Sequence, residues 1–240
     1  MAMCWRVYKY IAHLFHTRHR KGHGIHSPYL FEFVNGVLFN SQGIEAPRAI
    51  IKEHLKLRSA YAFVRRSSVS KRYGFLLYRI TRWFQAQMII ELGTGMGIST
   101  LYLSSGSPDT PLHSIEGEKD RAALAAQLIC RCCPGPVSIH WGEMEEKLEH
   151  ILPLIPQRFV AFVDGNHYYA PTVEYLRRLL DRAGDEAVIV MDDIYWSRGM
   201  HRAWKEVASW PEVQVSIDLF HMGILLLRRD LPKREIKIKF

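Results

Sequence analysis

From residue 88 onward, apolar β-rich runs recur at intervals that each leave room for a helix: "MIIELG" (88–93), "LHSIEG" (112–117), "VSIHWG" (137–142), "RFVAFVDG" (158–165) and "AVIVMDD" (187–193). Continuous apolar runs of this length suit strands buried on both faces. Between them, "EKDRAALAAQLICR" and "PTVEYLRRLLDRAG" read as helices, the second with Pro171 at an early position and Gly184 near its end. Strand and helix in alternation imply a doubly wound parallel sheet of the α/β class. The rhythm breaks at "VQVSIDLF" (213–220) and "MGILLLRR" (222–229), which leave no room for a crossover helix. These two runs must pair as an antiparallel hairpin.

The chain ahead of the first run differs in kind. Residues 1–82 hold 15 Lys and Arg against 3 Asp and Glu, whereas the remainder holds 17 against 21. Such a segment suits nucleic acid, an acidic surface or an anionic substrate, but it lacks aromatic interleaving and any DNA-binding motif, so a solvated basic face is the simpler reading. Within it, Ser27-Pro28 reads as a helix start, and Tyr29, Leu30, Phe33, Val34 and Val37 as a face packed on the main domain. "YGFLLYRITRWFQ" (73–85) reads as an amphipathic helix leading into the first strand. The expected organisation is a helical, basic extension over 1–72, serving as substrate cap or docking surface, and a main domain over 73–240.

At 240 residues and 48% hydrophobic content, the chain can bury a substantial core. It has no apolar run of about 18 residues and no small-residue cleavage site near its start, so it reads as cytoplasmic, with no membrane span. Cys4, Cys130, Cys132 and Cys133 lack the spacing of zinc pairs and read as buried or idle thiols of a reducing compartment. The tail "RRDLPKREIKIKF" reads as a basic soluble end. His23 and His26, in "RHRKGHGIH", read as surface residues that could face an anionic or catechol-like acceptor.

The loop after the first run, Gly93-x-Gly95-x-Gly97 and then a helix near Ile98, presents backbone N–H groups and a helix N-terminus to a ligand. It has neither the spacing of the dinucleotide fingerprint nor the lysine of the NTPase phosphate loop. Glu91 would repel a pyrophosphate there, but it could receive an ammonium or steady the loop. Glu116, at the end of the second run, is placed to accept both hydroxyls of a ribose. An amino-acid end paired with a ribose points to S-adenosylmethionine.

"ELGTGMGISTLYLS" followed by "SIEGEKD" resembles the first two motifs of class I S-adenosylmethionine-dependent methyltransferases, over roughly residues 73–230. "LYRITRWFQ", "FVDGNHYY" and "VMDDIYWS" are most similar to the catechol O-methyltransferase-like branch and its short bacterial relatives. The resemblance implies a Rossmann-like, mostly parallel seven-stranded sheet closed by the hairpin. It also implies that Glu91, Gly93, Gly95 and Gly97 cradle the methionine end, that Glu116 holds the ribose, and that Gly142 and Glu143 fall where adenine is contacted. Trp141 reads equally well as core or as a stacking residue.

Asp164 ends the fourth run and Asp192-Asp193 the fifth, and adjacent strand ends in an open α/β sheet share one crevice. Three crowded carboxylates are costly unless a cation or hydrogen-bond donors neutralise them. In the catechol-type family the corresponding positions are Asp, Asp and Asn and hold Mg2+; here Asp193 replaces the Asn. Hard oxygen ligands suit Mg2+, Mn2+ or Ca2+. Without a metal, Asp164 could serve the cofactor and Asp192 or Asp193 could cap the next helix. His167 stands where the catechol-type enzymes place the lysine that takes the substrate proton, and a histidine suits that general-base role. Asn166, Tyr168, Tyr195 and Trp196 are candidate pocket walls.

The expected activity is methyl transfer from S-adenosylmethionine to the oxygen of a small hydroxylated acceptor, aided by a divalent cation, with a homodimer compatible with it. The alternatives are an RNA or protein methyltransferase docking through the basic N-terminal segment, and a non-catalytic nucleoside-binding module.

Overall fold

In the computed structural model, which describes residues 2–17, 24–39, 47–133 and 135–240, helices fill the N-terminal segment: α1 (Ala2–His16), α2 (Pro28–Phe33), α3 (Arg48–Ala60), α4 (Ala62–Ser67) and α5 (Lys71–Phe84). Strand and helix then alternate as β1 (Met88–Leu92), α6 (Ile98–Gly106), β2 (Leu112–Glu116), α7 (Lys119–Cys132), β3 (Val137–Trp141), α8 (Met144–Ile151), β4 (Phe159–Val163), α9 (Tyr169–Leu180), β5 (Val188–Asp192) and α10 (Arg198–Ser209). The chain closes on β6 (Val215–Asp218), β7 (Met222–Leu226) and β8 (Arg234–Lys237).

The strands take the order β3-β2-β1-β4-β5-β7-β6-β8. β2 runs parallel to β1 and to β3, with Leu112 opposite both Ile89 and Val137. β7 runs antiparallel to β5 and β6, as the short connection between the last two apolar runs requires. The expected seven strands become eight, because the basic tail is not a soluble end: β8 adds parallel to β6, pairing Ile236 with Ile217. The alternation in "REIKIK" turns Ile236 and Ile238 inward, and both are fully buried.

Two compact units divide the chain, one of residues 41–161 and the other of residues 1–40 with 162–240. In the first, Ser70 caps α5 by accepting the Tyr73 N–H, and α5 packs on α6 at Gly74. A Cβ there would stand 2.4 Å from the Tyr102 ring, so the approach of the two helices requires glycine. Tyr102 is itself buried and its hydroxyl lies 3.0 Å from Nδ1 of the buried His54.

In the second unit, Ser27 caps α2 and Pro28 opens it, burying Leu30, Phe33, Val34 and Val37. Tyr29 is half-buried beneath the Arg228 guanidinium, 4.2 Å from its ring centre. α1 is tied to the C-terminal strands: His13 donates from Nε2 to the Ile238 carbonyl (3.2 Å), its Nδ1 is 3.5 Å from the Asp218 carboxylate, and Tyr10 sets its ring edge-on to Phe220.

Among the described residues, no helix is long and apolar enough to cross a membrane. Cys130, Cys132 and Cys133 are free thiols, Cys130 exposed and the others half-buried rather than buried outright. His26 is exposed, whereas His23 and the side chain of Cys4 lie outside the described residues.

Candidate cofactor loop and carboxylate cluster

Unit 41–161 carries the glycine loop. β1 is buried along its whole length, and the chain then turns through positive φ at Gly93 (101°), Gly95 (55°) and Gly97 (83°) before α6 begins. Side chains rarely adopt these angles, which accounts for the alternate glycines. The Gly93 and Thr94 N–H groups both donate to the Ile115 carbonyl (3.0 and 3.1 Å), so the turn is pinned to β2. A Cβ on Gly95 would meet nothing within 4 Å, leaving open space in front of the loop. No side chain caps α6.

Two glutamates frame this turn. Glu116, 7% exposed, accepts the Gly95 N–H at Oε2 (2.7 Å) and the Glu118 N–H at Oε1 (2.9 Å). A carboxylate has about four lone-pair positions, so capacity for hydroxyl donors remains. Glu91 is fully buried, its Oε2 accepting from the Thr100 hydroxyl (2.5 Å) and the Ser114 hydroxyl (2.6 Å). It thus steadies the loop, and its Oε1 is buried and unpaired, with Ser99 beside the carboxylate. Burial pushes the Glu91 carboxyl up to about 7 against these hydroxyl donors, with a smaller push from Glu116. The open space at Gly95, the orphaned Oε1 and the spare capacity of Glu116 fit a ligand that brings an ammonium and a pair of hydroxyls.

Further along, Gly142 (φ 142°) donates its N–H to the Glu116 carbonyl (3.0 Å), and Glu143 occupies the N-cap position of α8. Trp141 is 53% exposed with the Lys119 ammonium 5.2 Å from its ring centre, so it is not a core residue.

The second unit carries the acids. Asp164 follows β4, Asp192 ends β5, and Asp193 turns at φ 50° with its N–H on Oδ1 of Asp192 (2.9 Å). Burial, then the charge of Asp193, pushes the Asp192 carboxyl up to about 7, and a hydrogen bond with Asp164 opposes that rise. His167 lies with Nε2 3.6 Å from the Asp164 carboxylate. Burial holds the His167 pKa below the ordinary 6.5, with Asp193 pulling the other way. The second unit therefore holds Asp164, His167, Asp192 and Asp193, as the glycine-loop unit holds Glu91, Gly93, Gly95, Gly97, Glu116, Gly142 and Glu143.

Of the candidate pocket walls, Tyr168 and Trp196 are exposed, and Asn166 (φ 61°) donates to the Tyr175 hydroxyl (3.4 Å). Tyr195 is a packing residue, buried, with its hydroxyl donating to Asp218 (2.8 Å).

The acids do not fit the expected metal. Among the described residues, no three His, Cys, Asp or Glu side chains are grouped so as to hold an ion. One Asp192 oxygen is turned to the Asp193 N–H, and the Arg6 guanidinium stands 3.3 Å from Oδ1 of Asp193. Nothing in the sequence marks Arg6 for this place, since it lies 187 residues from Asp193 inside an otherwise ordinary basic helix.

Residues 90–194 match the family model of a methyltransferase domain. The chain is similar in structure to the O-methyltransferase TomG from Streptomyces achromogenes, involved in tomaymycin synthesis and solved with S-adenosylmethionine (24% identity, 80% of this chain and 95% of that one, TM-score 0.62). It is also similar to an O-methyltransferase from Bacillus cereus solved with S-adenosylhomocysteine (19% identity, 82% and 97%, TM-score 0.62). A third likeness is to the Podospora anserina methyltransferase PaMTH1, likewise bound to S-adenosylhomocysteine (15% identity, 84% and 97%, TM-score 0.66). A comparison with curated protein sequences returned no match.

Proposed function

We propose that this chain is a class I methyltransferase that transfers a methyl group from S-adenosylmethionine to an oxygen of a small hydroxylated acceptor, a reading supported by the matched methyltransferase domain and the fold. The observation that carries this reading is the junction of the Gly95 N–H with the Glu116 carboxylate, with clear space in front of the loop. It is supported by the O-methyltransferases to which the chain is similar.

Bound S-adenosylmethionine supplies an electrophilic sulfonium methyl. In this reading the Gly93–Gly97 turn receives the methionine end and Glu91 Oε1 faces its ammonium. Glu116 accepts the ribose hydroxyls with the lone pairs not used by Gly95 and Glu118, while Gly142 and Glu143 border the adenine. His167 takes the acceptor's hydroxyl proton at a ring nitrogen, and Asp164 orients the imidazole. The acceptor oxygen forms a bond to the methyl carbon as the carbon–sulfur bond breaks, giving the methyl ether and S-adenosylhomocysteine. Alignment of the two reactants can account for about 7 to 11 kcal/mol of the barrier.

The test is calorimetric titration with S-adenosylmethionine, S-adenosylhomocysteine and NAD, followed by mass spectrometry of products from a panel of hydroxylated aromatics. The expected result is binding of the two sulfur nucleosides alone, lost in Glu116→Ala, and a gain of one methyl group on an acceptor oxygen. Preference for NAD, or unchanged binding in Glu116→Ala, would overturn the assignment.

A further inference from the structure

We propose that Arg6 of α1 is the resident counter-cation of the Asp192–Asp193 pair, filling the charge-balancing role for which a divalent ion is expected, and that α1 is thereby a positioning element of the acceptor side. The proposal rests on the acceptor-side reading given under Proposed function for its catalytic meaning, but its geometry stands without that reading.

A third carboxylate where the catechol-type pattern has an amide adds a negative charge to a partly buried group, and such a charge requires a partner. The Arg6 guanidinium provides one, 3.3 Å from Oδ1 of Asp193, with the two side chains 29% and 25% exposed. The same guanidinium is 3.4 Å from Nδ1 of His221 and lies over the Trp196 ring, its carbon 5.3 Å from the ring centre. A planar, permanently charged fork suits three such neighbours, where a lysine would serve fewer of them.

Arg6 is also held in place by more than its own charge. Its neighbour in the helix, Trp5, packs against Tyr195 and His201 (centroids 6.4 and 5.8 Å apart). One and two turns on, Tyr10 and the buried His13 fix α1 to Phe220, Asp218 and the Ile238 carbonyl. An arginine on a tethered helix brings its charge at little entropic cost, whereas a long side chain on an exposed helix would lose much of the gain in ordering. The groups that face it belong to two other stretches of the chain: Asp193 and Trp196 on the connector between β5 and α10, and His221 between β6 and β7.

The test needs neither cofactor nor acceptor. Mn2+ binding followed by electron paramagnetic resonance should show no saturable site in the wild type at micromolar metal. Thermal unfolding should show coupling: Arg6→Gln and Asp193→Asn each lower Tm by about 2 to 4 °C, and the double variant falls no further than the worse single one. Arg6→Lys should recover part of the loss, which a role confined to helix packing would not predict. Saturable Mn2+ binding by the wild type that Asp193→Asn abolishes would overturn the proposal, and so would additive losses in the double variant. S-adenosylmethionine titrated into Arg6→Gln separates the two readings: binding there should be unchanged, and its absence from every variant including the wild type would remove the Proposed function while leaving the Arg6–Asp193 pair standing.

Discussion

Replacing Glu91 with glutamine should change how the stability of this protein depends on pH. The carboxyl is fully buried within β1 and titrates at about 7 in the folded chain against 4.5 in the unfolded one. Between those values the folded state holds a proton that the unfolded state has released, so folding is favoured at the acid end and loses that support as pH rises through about 7. At about 1.4 kcal/mol for each tenfold change, the displacement corresponds to about 3 kcal/mol. That is a sizeable part of the roughly 5 to 15 kcal/mol of a typical domain. The substituted side chain would keep an oxygen for the Thr100 and Ser114 hydroxyls, but it places an amide where Oε1 is unpaired. It therefore carries a fixed cost and no titration. The assay is urea unfolding of both proteins from about pH 4 to about pH 8: the wild type should lose about 3 kcal/mol relative to Glu91→Gln across that span. A difference between the two that stays constant over the range would refute the burial argument.

Other substitutions test other links. Gly95→Ala places a side chain at φ 55° and into the open space before the loop; it should cost about 1 to 2 kcal/mol of stability and at least tenfold in S-adenosylmethionine affinity, read by unfolding and calorimetry. Gly223→Ala would bring a Cβ to 2.4 Å from the buried Trp204 ring, so unfolding should show a loss of about 1 to 3 kcal/mol with cofactor affinity unchanged. His167→Gln should lower kcat strongly. In the wild type the acid limb of the kcat/KM profile should fall below pH 6.5, because burial depresses the His167 pKa and protonation removes the base; a limb above 6.5 would contradict this.

What the sequence displays, it displays locally. The buried runs of β1 and β4 and the alternate glycines with positive φ are short-range signals, and they locate the sheet and the loop. The tail reads as a soluble end because four of the residues in "REIKIK" are charged, although its two isoleucines recur with the period of a strand. Trp141 is ambiguous in sequence because its exposure depends on β3 standing at the edge of the sheet. Glu91 is legible as a loop acid, but not as an acid held by Thr100 and Ser114 from two different elements. Arg6 and His13 carry no signal at all, since their partners stand 187 and more than 200 residues away and each looks like one more polar residue of a basic helix.

The tether of α1 to β6, the turn that follows it and the Ile238 carbonyl also orders events during biosynthesis. Asp193 is synthesised 187 residues after Arg6, and Ile238 225 residues after His13. At about 5 to 20 residues per second, the helix waits on the order of ten seconds or more with its aromatic side chains uncovered. The helix thus docks long after it is made, and a nascent chain interrupted before β6 would present that apolar stripe to chaperones.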